Sequence, residues 1–401
     1  MAIPAESSPN PDAGPLQSAD VIPLSGLPIW GGLDRRDMRE RLLNVGESLL
    51  YFNSLSDMEP AEREATIIGV SESMVDAFYP IETHVSGREG ADKEMLVTEQ
   101  GTYNLGGGAN VIRGASLYAR RIKMITRTGQ LPPLTDEINT LLDGLPSNVE
   151  VARIIDPNSQ NAIKIRFLGD DDIVMGAVNF KPTELGPKET DALVGEASKS
   201  INQFLQEEGK CTLIVSDYGR GQLTESAASA LSLALRNSNV PRVFLDPRPD
   251  PSSLHKFNIY GAILTPNRQE AQLLAGEKVI HNGKLDSAHA AAEDILGNYP
   301  DVKGVIVTLD CDGALSVDRD GTVAHTPAVI KDTEVINPSG AGDIVIAVNA
   351  LLPRDEFGAQ AVLDTAVWLA GVSAKEKNTS TLSPQLVSDA QGEINKLLRE
   401  L

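Results

Sequence analysis

The chain has 401 residues, and 35 Lys and Arg stand against 56 Asp and Glu for a net charge of −21, which argues against a sequence-independent nucleic-acid binder and against attraction to an anionic membrane surface. Two cysteines, Cys211 and Cys311, and five scattered histidines offer neither a disulfide framework nor metal-ligand spacing and point to a reducing compartment. No basic leader with an apolar core opens the sequence, and no apolar run approaches the roughly 18 residues that span a bilayer, so the expected location is the cytoplasm.

Residues 1–30 are rich in Pro, Ser, Ala and Asp, with Pro4, Pro9, Pro11 and Pro15 opposing regular structure. Residues 34–52 read as a helix, with Met38, Leu42, Leu43, Val45, Leu49 and Leu50 at three- and four-residue spacings. Together these form an extension, 1–64, ahead of a core domain, 65–401. The extension packs either on that domain or on a partner. Residues 66–70 read as the first buried strand, and Met74-Val75-Asp76 follows at its carboxyl end. Open α/β sheets bind ligands there, so Asp76 is either an acceptor for substrate hydroxyls or a turn residue.

Residues 79–97 interleave polar and apolar side chains, and Gly106-Gly107-Gly108-Ala109-Asn110 then precedes a helix. Such glycines fit a phosphate loop or a strand-to-helix turn, although neither Gly-x-Gly-x-x-Gly nor a Walker sequence is complete. Residues 161–168 alternate, Ile163, Ile165 and Phe167 on one side and Lys164 and Arg166 on the other, as a half-exposed strand does. The two cations mark a solvated face or an anion site. With residues 173–178 these segments make a small sheet, near 79–103 and 160–180, projecting as a lid that would exclude water.

After a helical stretch at 187–205, strands at 212–216, 242–246, 262–265 and 305–309 alternate with helices near 224–236, 268–275 and 287–296, the pattern of a doubly wound, mostly parallel sheet. Polar groups follow these strands: Asp217-Tyr218-Gly219-Arg220-Gly221, Asp246-Pro247-Arg248 and Asn267-Arg268-Gln269-Glu270. Asn267 and Glu270 share one face of a first helical turn, where they form a capping box, hold a hydrated Mg²⁺ with its phosphates, or do both. Thr308-Leu309-Asp310-Cys311-Asp312-Gly313 is a strand followed by a glycine turn.

In Asn337-Pro338-Ser339-Gly340-Ala341-Gly342-Asp343 two glycines flank an alanine ahead of an apolar run, 344–352, that reads as a buried helix. Backbone N–H groups gather at its positive end and make an anion site. Asp343 stands where an alcohol attacking a phosphoryl group would lose its proton; otherwise it is only an acidic first-turn residue, and the helix end lowers its basicity. A helix at 365–375, a loop at 378–384 and a last helix at 385–401 complete the chain.

The 337–343 segment resembles the second signature of the ribokinase or pfkB carbohydrate kinases, with Asn337 and Ser339 where that family usually has Asp and Thr. The Gly107-Gly108-Ala109-Asn110 region, ending at Gly129, is similar to the first signature. Five shorter segments in order resemble the heptose-7-phosphate kinases of that family: Ser86-Gly87-Arg88 after Asp76, the Asp217 and Asp246 segments, Leu264-Thr265-Pro266-Asn267-x-x-Glu270, and Thr379-x-Thr381-x-Ser383-Pro384. The resemblance implies a ribokinase-like α/β fold with a small β-sheet lid, ATP and Mg²⁺ as cofactors, and a sugar or sugar phosphate as acceptor. It implies Asp343 as base, with Gly340, Ala341 and Gly342 supplying N–H groups. Asp76, Gly107, Gly108 and Asn110 would hold the sugar, and Arg88, Lys164 and Arg166 are candidates for a phosphate on it. Asn267, Asp246, Arg248, Thr308, Gly313 and Asn378 would lie on the nucleotide side, with Glu270 at the metal. Lids of such kinases often pair about a two-fold axis, so a homodimer is expected. The 89–94 run departs from the heptose kinases, which keeps ketose, pentose and nucleoside acceptors, or a catalytically degenerate scaffold, as alternatives.

Overall fold

The computed structural model describes residues 33–84, 94–97, 100–169, 174–376 and 381–401. The N-terminal tail, Arg88 and Asn378 lie outside the described residues. The chain opens with helix α1 (Arg35–Asp57), capped by Asp34, whose carboxylate accepts from the N–H groups of Arg36 and Asp37. Strands β1 (Thr66–Ser71), β2 (Ser73–His84), β3 (Glu94–Val97) and β4 (Thr102–Gly107) follow, then α2 (Gly108–Ser116), β5 (Arg121–Leu131), α3 (Thr135–Asp143) and β6 (Val149–Gln160). Next come β7 (Ala162–Leu168), β8 (Val174–Phe180), α4 (Pro187–Glu208), β9 (Thr212–Ser216), α5 (Glu225–Arg236), β10 (Arg242–Asp246) and β11 (Ala262–Leu264). The last part holds α6 (Arg268–Leu274), α7 (Leu285–Asn298), β12 (Gly304–Thr308), β13 (Ala314–Asp318) and β14 (Val323–Thr326). It closes with α8 (Ala341–Leu351), α9 (Arg354–Phe357), α10 (Ala359–Ser373) and α11 (Pro384–Glu400).

Nine strands form the main sheet in the order β14-β13-β12-β11-β10-β9-β1-β5-β6, parallel except at the β12-β13-β14 edge. Strand periodicity sorts its residues between two layers of helices. In β9, Leu213 and Val215 enter one core with α4, α5 and α7, whereas Ile214 enters the other with α1, α2, α8, α10 and α11. Both faces are covered, so the inner strands read as continuous apolar runs.

β5 and β6 carry no such run and escape a reading by hydrophobicity. Their cations are sequestered and paired: Lys123 binds the exposed Glu150 (2.5 Å) and Glu196 of α4 (3.0 Å), and Arg127 lies 3.8 Å from the buried Asp156. α1 extends past the expected Phe52 and packs on the domain. Met38, Leu42, Val45, Leu49, Phe52 and Leu55 are buried in the core it shares with α10 and α11. Arg41 clamps it through an ion pair with Asp364 and a bond to the His325 carbonyl (3.0 Å).

The second sheet is the lid, ordered β3-β2-β7-β8 with β4 also on β2. β2 pairs parallel with β7 and antiparallel with β3 and β4. The region after β1 is therefore a second strand rather than the turn that Asp76 suggests, and it carries the chain from the main sheet into the lid. Among the described residues no helix is long and apolar enough to cross a membrane.

Candidate active site

β1 and β9 are neighbours, but from them the strand order runs in opposite senses, to β5 and β6 on one side and to β10 and beyond on the other. A crevice opens at the carboxyl ends of two such strands, the place where open α/β sheets bind ligands. Ser71 and Ser216 end these strands side by side in register, both against Gly108. The segments after them form its floor, and Glu72 joins the two. Its buried carboxylate accepts the N–H groups of Tyr218 (2.6 Å) and Arg220 (3.0 Å) on one oxygen and of Gln222 (2.7 Å) on the other. Burial, and then the charge of Asp217, push Glu72 up to about 7 against those three donors. Asp217 is paired with Lys256 at 2.6 Å, and burial raises its carboxyl as well.

Asp343 enters from the other side, on the first turn of α8. Gly340 caps that helix at φ 92°, a conformation glycine adopts without strain. The N–H of Ala341 is donated to the Pro338 carbonyl (3.2 Å), which removes it as a ready anion donor. Gly342 and Asp343 carry first-turn N–H groups without a partner inside the helix, and the surroundings of Gly342 are open. One carboxylate oxygen of Asp343 accepts from Asn110 Nδ2 (2.6 Å), the other from the Tyr218 hydroxyl (2.8 Å). Asn110 accepts in turn from Arg113 (3.0 Å). The helix end alone would lower the basicity of Asp343, but the net effect has the opposite sign. Burial raises its carboxyl most and Asp76 adds to this, outweighing the pull of Asn110, Tyr218 and Arg113.

The glycine run serves three separate ends. A Cβ at Gly106 would lie 2.4 Å from Asp76 Oδ2, one at Gly107 (φ 65°) would lie 2.6 Å from the Glu72 carbonyl, and one at Gly108 would lie 2.7 Å from Ser216 Cβ. Gly107 and Gly108, expected at the sugar, are buried and let α2 approach β1 and β9; the Gly108 N–H is already donated to the Glu72 carbonyl at 2.9 Å. Gly106 is the glycine set against a polar site group.

Asp76 pairs with Arg166 (2.8 Å), whose guanidinium lies 5.1 Å from the Phe78 ring centre. Lys164 stands beside them on β7. Burial first, then the charge of Arg166 and those of Arg220 and Arg248, hold its ammonium below the usual range against the pull of Asp76. The charges of Arg166, Arg220 and Arg248 thus all act on Lys164, and Arg220 also reaches Asn179 of β8 (3.3 Å).

At the carboxyl end of β11, Asn267 and Glu270 do form a capping box, each side chain accepting the other's N–H (3.0 and 2.9 Å). The second oxygen of Glu270 lies 3.6 Å from Arg248. Burial raises Glu270, and burial with the charges of Asp343 and Glu270 holds Asp246 well above the carboxylate range. Among the described residues no cluster of three or more acidic, His or Cys side chains could hold a metal on its own. Two carboxylates fit a magnesium ion that keeps waters and arrives with nucleotide phosphates. Thr308 donates its N–H to the Pro266 carbonyl (3.0 Å), and Gly313 turns the chain at φ 90°, where a Cβ would meet the Thr326 carbonyl at 2.0 Å.

Sequence reasoning passed over Glu72, Arg113 and Asn179 and assigned no role to Tyr218 or Arg220, although the last two lie in the segment that resembles the heptose kinases. Glu72 has no motif around it. Its partners are about 150 residues away, and only the fold brings them together.

The pfkB family carbohydrate kinase domain matches residues 70–386. The bifunctional protein HldE of Rhodospirillum rubrum is 30% identical over 246 residues, 61% of this chain and 46% of that protein. HldE of Paramagnetospirillum magneticum is 28% identical over 315 residues, 78% of this chain and 59% of that protein. The chain thus spans about half the length of these curated relatives. Among solved structures, phosphofructokinase-2 from Escherichia coli superposes with a TM-score of 0.61 at 18% identity, covering 83% of this chain and 99% of that one. Arabidopsis thaliana ribokinase, solved with ribose and ATP, gives a TM-score of 0.55 at 16% identity, covering 82% and 99%. The fold is ribokinase-like, and the chain belongs to the pfkB family of carbohydrate kinases.

Proposed function

We propose that this protein transfers the γ-phosphoryl group of ATP to a hydroxyl of a sugar phosphate, with a heptose 7-phosphate as the first acceptor to test. The observation that supports a phosphorylated acceptor is the pair Lys164 and Arg166 on β7, with Arg166 on Asp76 and the charges of Arg220 and Arg248 also acting on Lys164, in a chain of net charge −21. Arg166 and Arg248 already face Asp76 and Glu270, and the positive charge that Lys164 and Arg220 add suits an anionic group on the acceptor. The heptose is supported by the sequence segments that resemble heptose-7-phosphate kinases.

In this reading the acceptor hydroxyl donates to Asp343, which takes its proton as the bond to phosphorus forms. The Gly342 and Asp343 N–H groups face the charge on the transferred group. Asp76 accepts from a neighbouring sugar hydroxyl. Arg166 spends one of its five donors on Asp76, which leaves others for the acceptor phosphate. Asp246 and Glu270 would hold the magnesium of the nucleotide, which supplies charge neutralisation at the β- and γ-phosphates. The lid strands close over the acceptor and exclude water.

The test is ADP release from MgATP across a panel of sugars and sugar phosphates, run beside Asp343→Asn. Turnover on a phosphorylated acceptor, reduced about a thousandfold or more in the variant, is the expected result. Turnover restricted to an unphosphorylated acceptor would remove the role of the cation cluster. Full activity in Asp343→Asn would remove the base.

A further inference from the structure

We propose that Tyr218 is a positioning residue for the base: its hydroxyl fixes the orientation of the Asp343 carboxylate, and Glu72 fixes Tyr218. The inference rests on the reading of Asp343 as base and adds to it a residue that no comparison or motif assigns. Tyr218, on the loop after β9, and Asp343, on the first turn of α8, are 125 residues apart in the chain and meet at 2.8 Å. A carboxylate on one Cβ–Cγ bond is free to rotate, but here each oxygen accepts one donor, Asn110 on one side and Tyr218 on the other. Rotation would break both bonds. One lone pair on each oxygen stays open for the incoming hydroxyl.

Tyr218 has little freedom of its own. Its loop is bound to Glu72 through the N–H groups of Tyr218, Arg220 and Gln222. From the opposite side Arg127 donates to the Arg220 carbonyl (2.8 Å), and its N–H binds the Gln222 side chain (2.9 Å). The phenol is held well above its usual range by burial and then by the charge of Asp343, so it stays a proton donor wherever Asp343 is ionised. The groups facing Asp343 are Asn110, Tyr218, Asp76, Arg113 and Asp246. Of these, Asn110, Tyr218 and Arg113 favour its ionised form. Without the phenol, burial and the two acids act with less opposition.

Tyr218→Phe keeps the ring and deletes the donor. The expected result is a kcat lower by roughly tenfold at neutral pH, the factor appropriate to one lost hydrogen bond to a charged group. The KM for MgATP changes less than about twofold, and the acid limb of kcat/KM moves up by about one pH unit. 3-Fluorotyrosine at position 218, a stronger donor of nearly the same shape, moves the limb down. The ¹³Cγ resonance of Asp343, identified by its loss in Asp343→Asn, reports the same shifts without any acceptor. An Asp343 titration unchanged in both variants overturns the proposal, whatever the turnover. A shifted titration with full turnover in Asp343→Asn overturns the base assignment instead, and with it any catalytic consequence of Tyr218.

Discussion

Replacing Arg41 with methionine tests whether α1 is part of the kinase domain or an appendage laid on it. The Asp364 side chain is 2% exposed and that of Arg41 18%. Arg41 grips both carboxylate oxygens, Nε on Oδ2 at 2.8 Å and Nη2 on Oδ1. Removing one member of a buried ion pair costs about 3–5 kcal/mol, because the other charge stays behind. Here Oδ1 still accepts from Thr326 (2.6 Å) and Gln360 (3.0 Å), and Arg41 is not wholly sequestered. Those two facts place the expected loss at the lower end, about 3 kcal/mol. Urea unfolding followed by fluorescence is the assay, since Trp368 is buried one turn along α10 from Asp364. Asp364→Asn keeps an acceptor for Thr326 and Gln360 while removing the charge. The double variant should therefore lose less than the two single losses added together, by about 2 kcal/mol. A loss under about 1 kcal/mol in Arg41→Met, or strict additivity, would refute the clamp and leave only the apolar face of α1 to hold it.

Gly106→Ala should act on the acceptor and hardly on the fold. The added methyl meets the end of the Asp76 side chain rather than backbone, so the carboxylate is displaced from Arg166 and acceptor KM rises roughly tenfold; an unchanged KM would refute Asp76 as a sugar ligand. Glu72 makes stability depend on pH. Its carboxyl, near 4.5 unfolded, is pushed up to about 7 by burial and Asp217, with Arg127 also facing it. The folded state therefore holds the extra proton between those values. The stabilisation is complete below about pH 4.5 and is lost as pH rises through about 7, by about 3 kcal/mol at roughly 1.4 kcal/mol per unit. The stability difference between the native protein and Glu72→Gln should shift by that amount between pH 4.5 and 7.5; a constant difference would sink the assignment.

What the amino-acid sequence determined by itself was everything carried by local pattern. Buried parallel strands such as β9 and β10 are continuous apolar runs because helices cover both faces, and any window containing them reads the same way. The Gly-Ala-Gly-Asp turn announces a helix N-terminus with an acid on its first turn, and Asn267 with Glu270 announces a cap, since each motif closes within a few residues. Tertiary structure alone decided the rest. β5 and β6 hide behind charges neutralised by Glu196 and Asp156, so their hydrophobic signal is broken in the sequence. Asp76 reads as either an acceptor for substrate hydroxyls or a turn residue until β7 arrives to make it mid-strand and Arg166 arrives to pair with it. The sign of the Asp343 shift was not legible either, because desolvation depends on what packs around a group rather than on its neighbours in the chain. Glu72 and Tyr218 are the extreme case. Neither has a local motif that states its role, and a buried carboxylate binding three N–H groups some 150 residues away exists only once β1 and β9 lie side by side.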